Sequence, residues 1–138
     1  MITEVEVYDG LRDRASHASR GRTPRTAPMF GAPGHWFVYF TYGFHWMLNA
    51  VTREEDYPAA VLFRGAESVS GPGRLTKTFS VDKTFNALPI AKRSGLWIED
   101  RGVRISARHI RKGPRIGVAY AGPYWAKRRL RFWIERAT

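Results

Sequence analysis

Along residues 2–8 the side chains alternate, with Thr3, Val5 and Val7 on one side of an extended chain and Ile2, Glu4, Glu6 and Tyr8 on the other. That period of two predicts a β-strand. Residues 9–35 lose the pattern among Gly10, Gly21, Pro24, Pro28, Gly31, Pro33 and Gly34, and read as loop with one short helix. Residues 36–42 (Trp-Phe-Val-Tyr-Phe-Thr-Tyr) predict a second strand, and Gly43 permits a tight turn after it. Residues 44–52 and Ala59–Arg64 complete an antiparallel meander, with Arg53–Pro58 as its second turn. Gly71-Pro72-Gly73 reads as a loop opening a short helix through Phe79, because proline suits the first turn. Residues 96–106, 115–120 and 128–134 predict three more strands. The resulting fold class is α+β: one domain over residues 1–138, a mostly antiparallel β-sheet with a protruding β-hairpin and a few short helices.

Composition narrows the setting. The 138 residues include no cysteine, which excludes a disulfide framework and a thiolate metal site. No apolar run approaches the roughly 20 residues of a membrane span, and no signal-peptide segment is evident, so the expectation is a cytoplasmic protein, nucleoid-associated in a prokaryote and not secreted. Charge is uneven. Residues 1–100 carry 12 basic and 11 acidic side chains, a net of +1, whereas residues 101–138 carry 11 basic ones against Glu135 alone, a net of +10. Arg101, Arg104, Arg108, Arg111, Lys112 and Arg115 are interleaved with apolar residues, as are Lys127, Arg128, Arg129 and Arg131, so this segment reads as a folded cationic surface. Such a surface favours a polyanion, nucleic acid ahead of an anionic membrane.

The familiar catalytic patterns are missing. His17, His35, His45 and His109 have no metal-binding spacing, and the His/Cys set of zinc nucleobase deaminases cannot be assembled without cysteine. There is no phosphate-cradling or dinucleotide-binding glycine motif. Three other features stand out. Glu4, Glu6 and Tyr8 share one strand face, which is either a solvated face or the seat of a catalytic carboxylate. Seven of the eleven residues 36–46 are aromatic, and alternation gives about half of them to the core. Tyr42, beside Gly43 at the hairpin tip, has little to bury against and is placed to stack on a base or wedge between base pairs. Arg64 ends an apolar strand and wants a partner there, such as Glu6.

Taken together, Glu4-Val5-Glu6-Val7-Tyr8, Asp13-Arg14-Ala15-Ser16-His17, Arg22-Thr23-Pro24-Arg25, Met29-Phe30 and Tyr39-Phe40-Thr41-Tyr42-Gly43 form a recognisable series. It continues through Asn49, Val61-Leu62-Phe63-Arg64, Gly71-Pro72-Gly73-Arg74-Leu75, Arg115-Ile116-Gly117-Val118 and Ala121-Gly122. In this order the motifs resemble those of the alkyladenine (3-methyladenine) DNA glycosylase family, from the first residues to Trp133. The resemblance implies that Glu6 is the general base for a hydrolytic water, with Arg64 and the Ile116 backbone as further anchors of that water. It implies that Tyr8, His17 and Tyr39 wall a pocket for a flipped base and that Asn49 discriminates against the exocyclic amino group of guanine. Tyr42 matches the residue that intercalates where the nucleotide was extruded, and Gly43, Phe44, Arg22, Thr23, Arg25 and Arg74 fall in the DNA-contacting motifs.

The implied activity is base-excision repair. Alkylated or deaminated purines (the 3-methyladenine, 7-methylguanine, hypoxanthine and ethenoadenine class) are flipped from double-stranded DNA and the N-glycosidic bond is hydrolysed. No lysine lies in the pocket motifs, so the expectation is a monofunctional enzyme that leaves an abasic site, without metal or cofactor, acting as a monomer. The alternatives are a lesion-binding module without turnover and a generic basic nucleic-acid-binding domain. Two departures from the family pattern stand out: the chain begins almost on the Glu6 strand, where family members carry a further N-terminal segment, and the 64–71 connection is shorter than usual.

Overall fold

The computed structural model describes residues 1–41 and 44–135. Seven strands form one antiparallel sheet: β1 (Ile2–Asp9), β2 (Trp36–Thr41), β3 (His45–Val51), β4 (Ala59–Ala66), β5 (Val69–Ser70), β6 (Ile110–Gly113) and β7 (Arg131–Ile134). Their order is β2-β3-β4-β1-β7-β6, with β5 paired to β4. Two short helices, α1 (Pro72–Thr78) and α2 (Gly122–Lys127), and several 3-10 turns complete an α+β fold.

Alternation assigns each strand residue to one of two faces, and the two faces have different jobs. Trp36 and Val38 of β2, Leu48 and Ala50 of β3 and Phe63 of β4 pack with Leu75 of α1 and with Val81 into the main core. The opposite face carries Phe37 and Tyr39 of β2, which pack with Ala18, Met29 and Phe30 from the first long loop. Cross-strand pairing extends this second face: Phe37 lies opposite Asn49, Asn49 opposite Leu62, Leu62 opposite Glu6, and Glu6 opposite Arg131. Directly opposed residues of an antiparallel pair point the same way. One sheet face therefore gathers side chains from five strands that are far apart in the chain.

β1 lies between β4 and β7 in the sheet, and the turn at Ile116 covers its polar face, so that face is not wet. Glu6 is 0% exposed. The β1–β4 ladder is irregular between Ile2 and Val5, where Gly65 faces Glu4. A Cβ at Gly65 would stand 2.9 Å from the Thr3 hydroxyl, so any larger residue at this bulge would have to displace the Thr3 side chain.

The structure corrects three elements. Residues 96–106 form no strand beyond an isolated bridge of Leu96 to Ala91: Ile98 and Val103 are exposed, so their apolar character marks no buried face, and strand structure begins only at Ile110. Residues 115–120 are a turn rather than a strand, because Gly117 adopts φ +75° and the chain then enters a 3-10 turn at Ala119–Ala121. α2 follows at Gly122–Lys127, with Pro123 in its first turn, which shortens the last strand to Arg131–Ile134. The first long loop contains two 3-10 turns, His17–Arg20 and Ala27–Phe30.

Candidate active site

At the centre of the second face the Glu6 carboxylate is held from three sides. The Tyr8 hydroxyl donates to its Oε1 at 2.9 Å, the Ile116 backbone N–H donates to its Oε2 at 2.7 Å, and Arg64 Nη1 lies 3.6 Å from Oε1. Residues i and i+2 of a strand share a face, which is why Glu6 and Tyr8 meet. Arg64 enters the same face two residues after Leu62, the residue opposite Glu6. Arg64 Nε sits 3.4 Å from Glu4 Oε1, and Arg131 Nη1 reaches the same oxygen at 3.2 Å. The result is an alternating row of charge, Glu6, Arg64, Glu4 and Arg131, in which each buried anion has a cation beside it.

Beside this row lies a small, partly enclosed cleft lined by Tyr8, Ala15, Ser16, His17, Met29, Phe37, Tyr39, Asn49 and Tyr120. The His17 and Tyr39 rings are 4.6 Å apart and tilted by 60°. Asn49 is buried, and its amide donates to the Phe37 carbonyl at 3.2 Å, which fixes the side chain at the cleft wall. The Tyr120 hydroxyl donates to the Ala15 carbonyl at 2.6 Å, linking the two loops that flank the opening. A second surface groove, between Pro123, Tyr124, Lys127 and Arg128, lies on α2 and contains no residue of the carboxylate row.

Burial shapes the titration of the cleft. Burial, and then the nearby Glu6 charge, push the Tyr8 phenol far above its ordinary value, so it remains a hydrogen-bond donor. Burial, followed by Tyr120, pushes Tyr39 up to about 12. Partial desolvation and the positive Arg25 and Arg20 hold His17 below the ordinary imidazole value. His17 is therefore neutral at pH 7 in the folded state. In an NMR titration its ring protons are expected to show a midpoint below 6.5, the usual histidine value; a midpoint at or above 6.5 contradicts this. Because the unfolded chain takes up that proton first, this contribution to stability is complete above about pH 6.5 and declines as pH falls below it.

The structure thus brings Glu6, Arg64, Tyr8 and the Ile116 amide together, and places His17, Tyr39 and Asn49 around the adjoining cleft. Ile116 is positioned to bind Glu6 through its N–H, while its side chain is exposed. Phe44 is 87% exposed at the end of the β2–β3 connection, with φ +75°. Tyr42 and Gly43 lie outside the described residues. Arg25 braces the cleft from outside, donating to the Phe40 carbonyl at 3.1 Å with its guanidinium 5.2 Å from the Tyr39 ring centre. Arg22 pairs loosely with Asp56 at 3.9 Å, the Thr23 hydroxyl is within 3.1 Å of the Thr26 hydroxyl, and Arg74 is exposed on α1.

Sequence reasoning missed several members of this site. Tyr120 and Phe37 line the cleft without any motif that singles them out, and Ser16 and Met29 fall in the quoted motifs without a role assigned to them. Asp13 and Arg115 form a bidentate ion pair at 2.5 and 2.9 Å, both side chains fully buried, yet they lie 102 residues apart and no local spacing reveals them. Among the described residues no cluster of three or more histidine or acidic side chains could hold a metal, and no helix is long and apolar enough to cross a membrane.

Comparison with known proteins converges on one family. The methylpurine-DNA glycosylase family matches residues 1–138. A candidate 3-methyladenine DNA glycosylase of Anaeromyxobacter dehalogenans (strain 2CP-C) is 41% identical, over 98% of this chain and 70% of that protein. Proteins of the same name from Methanocella arvoryzae and Sodalis glossinidius are 38% and 42% identical, covering 88% and 86% of this chain and 69% and 72% of their own lengths. A match along the whole chain, together with relatives at this level of identity, establishes that the chain belongs to the methylpurine-DNA glycosylase family.

Proposed function

We propose that this DNA glycosylase flips alkylated or deaminated purines out of double-stranded DNA and hydrolyses their N-glycosidic bond with a water activated by Glu6. The observation that carries this reading is the fully buried Glu6 carboxylate beside an aromatic cleft, braced by Tyr8, Ile116 and Arg64. A base must leave the stack before its glycosidic bond can be reached, and a damaged pair is the easiest to open. Tyr8, His17 and Tyr39 offer ring faces for the extruded base, and electron-rich rings favour the cationic 3-methyladenine and 7-methylguanine. Neutral hypoxanthine and ethenoadenine complete the substrate class. Asn49, pinned by the Phe37 carbonyl, cannot move aside for a 2-amino group, which disfavours guanine.

Departure of the base leaves positive charge on the sugar. The Glu6 carboxylate stabilises that charge and accepts a proton from the attacking water, while Arg64 and the Ile116 backbone fix the carboxylate and water. No lysine lines the cleft, and release proceeds by hydrolysis to an abasic site rather than through a Schiff base. Tyr42 fills the gap in the duplex, and Gly43, Phe44, Arg22, Thr23, Arg25 and Arg74 contact DNA around it. The exposed cations of the 101–138 segment track phosphates, Arg115 excepted because it is buried against Asp13, so duplex affinity is expected to fall with salt at a log–log slope of about −0.9 for each phosphate contacted. The chain acts as a single domain over residues 1–138, as a monomer, with no metal or cofactor.

The test is incubation of excess protein with duplexes containing one 3-methyladenine, 7-methylguanine, hypoxanthine or ethenoadenine, followed by alkali. Strand scission at the lesion after alkali, and none before it, is the expected result. Lesion binding without scission on any duplex would replace the enzyme with a recognition module.

A further inference from the structure

We infer that the buried Asp13–Arg115 pair is the positioning unit of the active site, setting the Glu6 anchor and the cleft wall together. The inference rests on the proposed role of Glu6. Asp13 organises the turn after β1, where its carboxylate accepts the backbone N–H of Asp9 at 3.0 Å and of Ala15 at 3.1 Å. That turn leads directly into Ser16 and His17 of the cleft. Arg115 is the residue before Ile116, whose N–H holds Glu6 at 2.7 Å. The Arg115 fork also donates to the Val7 carbonyl at 2.9 Å, at the end of β1, and to the Trp125 carbonyl at 3.4 Å, on α2. Its guanidinium lies 4.8 Å from the Tyr8 ring centre, covering one face of the ring. One planar side chain therefore fixes the Ile116 donor, backs the Tyr8 wall and meets the carboxylate that shapes the His17 turn.

Stability alone is a poor explanation for such a pair. Buried ion pairs can often be replaced by apolar side chains without loss of stability. An apolar pair cannot supply the fork that spans Asp13, Val7 and Trp125, and lysine has the charge but not the planar, bidentate geometry. Arg115 Nε is buried with no hydrogen-bond partner, so the terminal fork carries the contacts. Asp13 and Arg115 do not line the cleft; they act through Ile116, Tyr8 and the Ser16–His17 turn.

Two measurements test this. In the unsubstituted protein, native-state amide hydrogen exchange should show Ile116 and Ala15 opening together, with equal protection and equal denaturant dependence, because one ion pair holds both. Independent opening of Ile116 overturns the inference. In R115K, and in D13N should R115K not fold, the Ile116 amide should exchange at least about 10-fold faster relative to the Leu62 amide of β4. Single-turnover base release should fall by up to about 100-fold, the scale of an ångström-sized misplacement, while lesion-duplex affinity stays within about threefold. A folded variant with wild-type Ile116 protection and wild-type release overturns the positioning role. If the unsubstituted protein releases no base from any lesion duplex, the excision reading fails, and the exchange measurements alone decide the role of the pair.

Discussion

Glu6→Gln is expected to slow single-turnover release of a damaged purine by about 10²–10⁴-fold, the range for a positioned acid–base group, while lesion-duplex affinity changes by no more than a few fold. The substitution is nearly isosteric, so it removes charge and basicity without opening a cavity. The glutamine carbonyl can keep the Ile116 N–H, and its amide can donate to the Tyr8 hydroxyl oxygen, which reverses that bond but keeps it. Tyr8, His17, Tyr39 and Asn49 stay where they are, so base capture survives. The folded state should lose about 1–3 kcal/mol, because Arg64 loses one of its two carboxylate neighbours. Binding, thermal melting and single-turnover release measured on one preparation separate these effects. Release within threefold of the unsubstituted rate would remove Glu6 from the role of base.

The contrast between affinity and chemistry follows from how the second sheet face is divided. In the proposed mechanism the aromatic cleft recognises the base, and the row of alternating charge carries the reaction. Glu4 belongs to that row as well. It accepts Arg131 while lying beside Arg64, so it compensates two cations and leaves Arg64 Nη1 directed at Glu6. The scarcity of acidic residues in a strongly basic chain therefore has a local meaning. Glu4, Glu6 and Asp13 are the acids that face buried cations, whereas Glu54, Asp56 and Glu99 pair with arginines at the surface. Exposed positive charge lies mainly on the other edge of the sheet, where Arg108, Arg111 and Lys112 stand next to or along β6.

Residues with strong local signals were legible in the sequence. The alternation of residues 2–8 and the aromatic run from Trp36 placed β1 and β2 correctly, and the α+β class followed from them. Glu6, Tyr8, His17, Tyr39, Asn49 and Arg64 stand out in the sequence, most of them through motif resemblance rather than spacing. What alternation could not supply was burial. The Glu4–Glu6–Tyr8 face looks solvated in a single strand, and it is covered because the Ile116 turn, far away in the chain, crosses above it while Arg64 of β4 and Arg131 of β7 flank its carboxylates. Residues 97–106 fail for the converse reason: their apolar side chains have no sheet to pack on and stay exposed. The Asp13–Arg115 pair was invisible because an ion pair spanning most of the chain leaves no periodic trace, and α2 was missed because its six residues give too short a pattern.

Arg64→Met is expected to be the most disruptive single change to the charged row, since the arginine side chain is only 13% exposed and lies between two carboxylates. Methionine is flexible and replaces the apolar stem of arginine, so much of the packing is kept and the main loss is electrostatic. Removing one partner of a buried pair leaves the other charge uncompensated, which typically costs about 3–5 kcal/mol. The lower end applies here, about 3 kcal/mol, because Glu6 keeps the Tyr8 and Ile116 donors and Glu4 keeps Arg131. At about 4 °C per kcal/mol for a chain of this size, the melting temperature should fall by about 12 °C. Base release should fall with it, even below the new melting range, because Glu6 loses the cation that orients it. Adding Glu4→Gln to Arg64→Met removes one of the stranded anions and should recover part of the stability but none of the release. A drop of less than about 2 °C in the single variant, or release restored by Glu4→Gln, would show that Arg64 serves neither the buried row nor the reaction.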